Sequence, residues 1–208
     1  MGPMAPLRSR RDLSGVCYGS DHTSCGSHRR HRPLPHQLEE SRVNFALVAI
    51  SNILVGIITE EGFFRGWLWA SLERAGVRRP RILIWSSIAF SLWHWSAVML
   101  KTGFDPPRAQ VPVFMVNAVA MGLVWGLLRW ISGSVIVSSV SHGLWNGMAY
   151  VLFGFGTKVG ALGIKNTGLF GPEVGVLGLT ANLIFAAALW RLATGHARRV
   201  GPGLAEQT

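Results

Sequence analysis

An all-α polytopic membrane bundle, with about five transmembrane helices and an amphipathic surface helix, is the fold this chain predicts. Three observations lead there. Apolar residues make up 49% of the 208 positions and charged ones only 14%, against about 25% charged in an average soluble domain. The mean hydropathy is +0.32. Uncharged runs of about 17 to 20 residues, long enough to cross a ~30 Å hydrocarbon core as helix, recur along the chain.

The elements follow in order. The runs lie at 43–59, 82–100, 109–128, 135–153 and 174–190, and the first continues as helix through Arg65. Between the first two, "GWLWASLERAGVRRPR" carries Trp67, Trp69 and Leu72 and reads as an amphipathic helix on the membrane surface. Pro80 and its flanking arginines mark entry into the second run, "GFDPPR" separates the second from the third, and "RWISGS" the third from the fourth. Gly122 and Gly126 form a GxxxG pair, which lets two helices pack closely. Trp67, Trp69, Trp85, Trp93 and Trp95 fall near interfaces or packing faces and read as an aromatic belt.

Residues 1–42 differ in kind. They are rich in Arg, His, Ser, Gly and Pro and lack the apolar core of a signal peptide, so they read as a disordered basic tail or a non-native start. Cys17 and Cys25 lie there near His22, His28 and His31, but their spacing fits no zinc ribbon or finger. The membrane domain is expected over 43–195 and a second tail over 196–208.

The net charge of +10 does not imply a nucleic-acid partner, because Lys and Arg gather in the tail and in the breaks between apolar runs. Counting them by side places the 66–81 segment, with Arg74, Arg78, Arg79 and Arg81, in the cytoplasm of a multi-pass cell-membrane protein.

Ionisable groups inside membrane segments are costly and usually face the bundle interior. Here they are Glu60, Glu61, Arg65, His94 and His142, with Asn117 and Asn146 as buried amides beside them. Glu61 and Arg65 are four apart and share a helix face, so Arg65 can pair with Glu61. Glu60 projects about 100° away, free for another task. His142 and Asn146 are also four apart and point at one space. Each group alone has a plainer reading, as an interfacial charge or a helix–helix hydrogen bond. Together they make a hydrolytic set: a carboxylate and a histidine to hold and deprotonate water, a histidine and an asparagine to donate to an oxyanion. The chain has no GxSxG or HExxH motif, and both cysteines lie in the tail.

"EEGFFR" (60–65) fits EExxxR, "FSLWH" (90–94) fits FxxxH and "HGLWN" (142–146) fits HxxxN. In that order, on successive membrane segments, they resemble the CPBP family, the type II CAAX prenyl endopeptidases and bacteriocin-processing relatives also called Abi proteins. The resemblance covers about residues 45–155. It implies an intramembrane endopeptidase acting on a peptide or protein substrate at the membrane lipid. Glu60 and His94 would activate the water, His142 and Asn146 would stabilise the oxyanion, and Glu61 and Arg65 would hold the site together. The family is often called metalloprotease. Glu60, His94 and His142 would be the three ligands if zinc took part, although the glutamate-dependent mechanism requires no cofactor. Family members usually carry further helices before the EExxxR helix, where this chain has its polar tail. The expectation is a minimal version or an incomplete N-terminus, and the alternative is a non-catalytic protein of the same fold, such as a bacteriocin self-immunity or scaffold protein.

Overall fold

The computed structural model describes residues 34–100, 104–154 and 158–200, with side chains described over 39–195 within those ranges. Every regular element among the described residues is helical, as lipid demands. Away from water a backbone N–H or C=O must be satisfied within its own segment, which a helix achieves.

The first helix, α1 (Leu34–Ile58), runs on without a break through a π-helical stretch, Gly62–Leu68, into α2 (Trp69–Arg74). It starts inside the stretch assigned to the tail. Residues 34–42 follow an established helix, and each added residue gains a hydrogen bond without repeating the cost of nucleation. The cysteines and tail histidines lie outside the described residues.

The 66–81 segment is not a separate surface helix over its whole length. Its first half is the end of the long first helix and its second half the turn into α3 (Arg79–Met99). Its amphipathic character is real: Trp67 is 59% exposed whereas Trp69 is 2% exposed, against the core residues Leu83 and Trp125. Arg78 holds an extended conformation before α3, and Pro80 occupies the first turn, where its missing N–H costs nothing.

The chain continues through a short 3-10 turn, Arg108–Gln110, into α4 (Val111–Ser132). Gly133, at φ 69°, ends α4 in the left-handed conformation that glycine adopts freely. Ser134 then caps α5 (Val135–Gly147), its side chain accepting from the Ile136 N–H. α5 passes into a second π-helical stretch, Met148–Phe153. A loop with the short α6 (Thr167–Phe170) leads to α7 (Val176–Val200).

Among the described residues four helices are long and apolar enough to cross a membrane: Glu39–Arg74, Arg79–Met99, Arg108–Ser132 and Val176–Gly195. The fifth expected span, 135–153, is helical as α5 and its π-helical continuation but is not one of these four.

The central element is α4, which packs against α3, α5 and α7, while α1 packs on α5. The core lies where Phe64 and Trp69 of the first helix meet Ile82, Leu83 and Phe90 of α3, Met121, Val124, Trp125 and Leu127 of α4, and Leu189 of α7. The GxxxG pair does what its spacing predicts. A Cβ on Gly122 would stand 2.9 Å from the Cα of Ser87 on α3, so only glycine allows this approach. Gly143 serves the same purpose between α5 and α1, where a Cβ would come within 2.7 Å of the Ala49 carbonyl oxygen. These contacts set the distances across which the polar side chains meet.

Candidate functional site

The cavity at the centre of the bundle has a volume of about 190 Å³ and is lined by Glu60, His94, His142 and Asn146 together with Asn52, Tyr150 and Glu173. The sequence "EEGFFR" builds one wall. Gly62 begins the π-helical stretch, and any side chain there would collide with the Ile57 carbonyl oxygen. π-Helical turns are often found at functional sites, and here the two adjacent carboxylates diverge beside one. Glu60 faces the cavity, whereas Glu61 is fully buried.

Glu61 anchors a rigid cluster. Arg65 Nη1 donates to Glu61 Oε1 at 3.1 Å, with neither side chain exposed. Arg65 Nη2 donates to the Gly122 carbonyl of α4 at 2.9 Å, and its guanidinium lies 4.4 Å from the centre of the Phe90 ring of α3. Arg129 reaches back to the Arg65 carbonyl at 3.2 Å. His142 Nδ1 lies 3.0 Å from Glu61 Oε1, and its ring stacks on Trp125 at 3.9 Å. The Glu61–Arg65 pair expected from spacing therefore forms, and it also ties the first helix to α3, α4 and α5.

Both histidines present the same edge to Glu60. The Phe90 carbonyl, which can only accept, takes the Nδ1–H of His94 at 2.9 Å. The Glu61 carboxylate takes the Nδ1–H of His142. In each neutral ring the lone pair then sits on Nε2, and both Nε2 atoms lie 3.7 Å from Glu60 Oε2. That oxygen is buried and has no direct hydrogen bond. Three acceptors therefore surround one small gap, and a separation above 3.5 Å between polar groups is one that a water can bridge.

Asn146 donates its Nδ2 to Asn52 Oδ1 on α1 at 2.9 Å, and Asn52 in turn donates to the Val48 carbonyl at 2.8 Å. One Nδ2 hydrogen of Asn146 is thereby used and the other remains, which fixes the plane of the amide. Asn117, expected beside these groups, is buried but does not line the cavity. Its amide donates to the carbonyls of Pro172 and Glu173 at 2.7 and 2.8 Å and accepts from Asn182 of α7 at 2.8 Å. Its position in mid-membrane made it look like part of the site, and its partners make it a clamp on the loop before α7.

Sequence reasoning missed Asn52, Tyr150 and Glu173 of this cavity. Asn52 lies in the first apolar run, eight residues after Asn44, and no motif surrounds it. Tyr150 is four residues beyond Asn146 on the same helix, a hint that was available. Glu173 is in a loop, and no linear pattern connects it to the rest. Its carboxyl is hydrogen-bonded by the Tyr150 phenol, and burial, reinforced by Glu60, pushes it up to about 7.

Among the described residues no group of three or more His, Cys, Asp or Glu side chains is arranged to hold a metal ion. The set Glu60, His94 and His142 is not among such groups.

A helical bundle that is apolar outside and lined within by carboxylates, imidazoles and amides is a polytopic membrane protein with a polar internal site. The model of the type II CAAX prenyl endopeptidase Rce1-like family matches residues 42–148, about half of the chain, and the chain belongs to this family. It is a multi-pass membrane protein with a CAAX-type intramembrane protease fold. No curated protein and no solved structure matches it.

Proposed function

We propose that the protein is an intramembrane endopeptidase that hydrolyses a peptide bond of a membrane-associated substrate, a CAAX-type prenylated C-terminus or a leader peptide. The observation that carries this reading is the convergence of His94 Nε2 and His142 Nε2 on Glu60 Oε2, each at 3.7 Å, in a polar cavity inside an apolar bundle.

Three acceptors around one gap favour a donor between them, and water has two O–H groups to give. A water held by Glu60 and His94 has its remaining lone pair available for a carbonyl carbon. As the bond forms, Glu60 takes the proton as general base. The oxyanion is met by the unused Nδ2 hydrogen of Asn146, and by His142 once its Nε2 has taken up a proton from solvent and changed from acceptor to donor. Asn146 is held in place by Asn52, so it needs no reorganisation when charge develops. Glu61 and Arg65 support the site. The apolar surroundings lower the local dielectric and strengthen each of these interactions.

Cleavage by purified protein in liposomes, followed on prenylated CAAX-type and leader peptides, tests the reading. Glu60→Gln keeps the size and polarity of the side chain but removes the base, and is expected to lower cleavage by ~10²–10⁴-fold with folding retained. Wild-type rates in Glu60→Gln would show that another group is the base. A wild type inactive on every peptide, although folded, would favour a non-catalytic member of the family.

A further inference from the structure

We infer that Glu173 is a second carboxyl of the hydrolytic site and delivers the proton that the departing amine needs. The inference rests on the endopeptidase reading and adds a residue from beyond the family match, which ends at 148.

Glu173 belongs to the loop between α6 and α7, yet it is 6% exposed and lines the same cavity as Glu60, His94, His142 and Asn146. A buried carboxylate is costly unless it is paired or neutral. Burial and the neighbouring Glu60 favour a carboxyl that retains its proton, while the hydrogen bond from the Tyr150 phenol orients the group and favours the anion. Its backbone is held by buried amides. Asn117 of α4 grips the carbonyls of residues 172 and 173, and Asn182 of α7 fixes Asn117. Two helices thus supply buried amides to hold one short stretch of loop, and the side chain this positions is Glu173.

Peptide hydrolysis needs an acid as well as a base, because an amine leaves poorly as an anion. Where two carboxyls share a site in different surroundings, the roles divide between them. The water oxygen bonds to the carbonyl carbon and one water proton goes to Glu60. The C–N bond then breaks with its electron pair on nitrogen, which takes the proton of Glu173. The proton on Glu60 returns through cavity water to Glu173. One water is consumed, an acid and an amine are formed, and both carboxyls regain their starting states.

Leaving-group dependence tests this. The same acyl sequence is offered as a peptide amide and as a p-nitrophenyl ester, whose phenolate departs without a proton. Glu173→Gln is expected to slow amide cleavage by ~10²-fold or more, in the usual range for a general acid, while ester cleavage stays within about twofold of wild type on the same reasoning. Tyr150→Phe should weaken amide cleavage in the same selective way, by less. Retained ester cleavage also reports that the variants fold. Equal loss on both substrates would reduce Glu173 to a structural role, and wild-type amide cleavage would remove it from the reaction. Either result leaves the endopeptidase reading standing. A wild type that cleaves neither substrate would overturn that reading, and this inference with it.

Discussion

Replacing Arg65 with alanine removes a fully buried cation with three partners at once: the Glu61 carboxylate at 3.1 Å, the Gly122 carbonyl at 2.9 Å and the Phe90 ring at 4.4 Å. The dominant cost is the stranded carboxylate. Breaking a buried pair by deleting one partner typically costs ~3–5 kcal/mol, whereas an interhelical hydrogen bond in a membrane protein averages only about 0.6 kcal/mol. His142 still hydrogen-bonds Glu61 at 3.0 Å, which moderates the loss. The expected value is therefore near the lower end, ~3 kcal/mol, or roughly a hundredfold in the folding equilibrium. SDS titration in mixed micelles, followed by tryptophan fluorescence, measures it. Arg65→Lys should recover only part, because an ammonium lacks the planar fork that reaches Glu61 and Gly122 together. The double variant Glu61→Gln/Arg65→Met should unfold later than Arg65→Ala, since it leaves no buried charge without a counter-charge. If Arg65→Ala unfolds at the wild-type SDS fraction, the pair contributes nothing to the fold, and the reasoning from burial is wrong.

Three further outcomes follow from the same geometry. Asn52→Ala should lower kcat by up to roughly tenfold and stability only modestly, because it frees Asn146 and removes two hydrogen bonds, from Asn146 and to the Val48 carbonyl, each worth about 0.5–1.5 kcal/mol; steady-state kinetics with parallel melts check it. Gly143→Val should destabilise by at least ~1–3 kcal/mol through overpacking, because its side chain would enter the 2.7 Å gap to the Ala49 carbonyl of α1; the same SDS titration reads it. Stability should also fall as pH rises from 4.5 to about 7, the ordinary and folded-state values for Glu173. In that window the unfolded carboxyl has lost its proton while the folded one keeps it, so the slope of stability with pH is negative. Glu173→Gln should flatten this part of the profile, and an unchanged profile would show that Glu173 does not titrate there.

The sequence alone determined whatever depends on neighbours along one helix. Long uncharged runs must be helical in lipid, because no other segment satisfies its own backbone, and all five runs are helical. Spacing of four brought Arg65 onto Glu61, a contact made within one helix and needing nothing from the rest of the bundle. Even so, local reasoning misjudged 66–81. Whether Trp69 lies on a membrane surface or in a core depends on α3 and α4, which no local pattern reports. Tertiary structure alone decided which groups face one another. His142 binds Glu61 through Nδ1 and turns Nε2 toward Glu60, a division set by how closely Gly143 lets α5 approach α1 and Gly122 lets α4 approach α3. The same packing sends Asn117 to a loop rather than to the cavity, pairs Asn146 with Asn52 across 94 residues, and brings Glu173 into the site from a loop. Side-chain periodicity fixes direction within an element, but distances between elements arise only when the helices pack, and proton transfer depends on those distances.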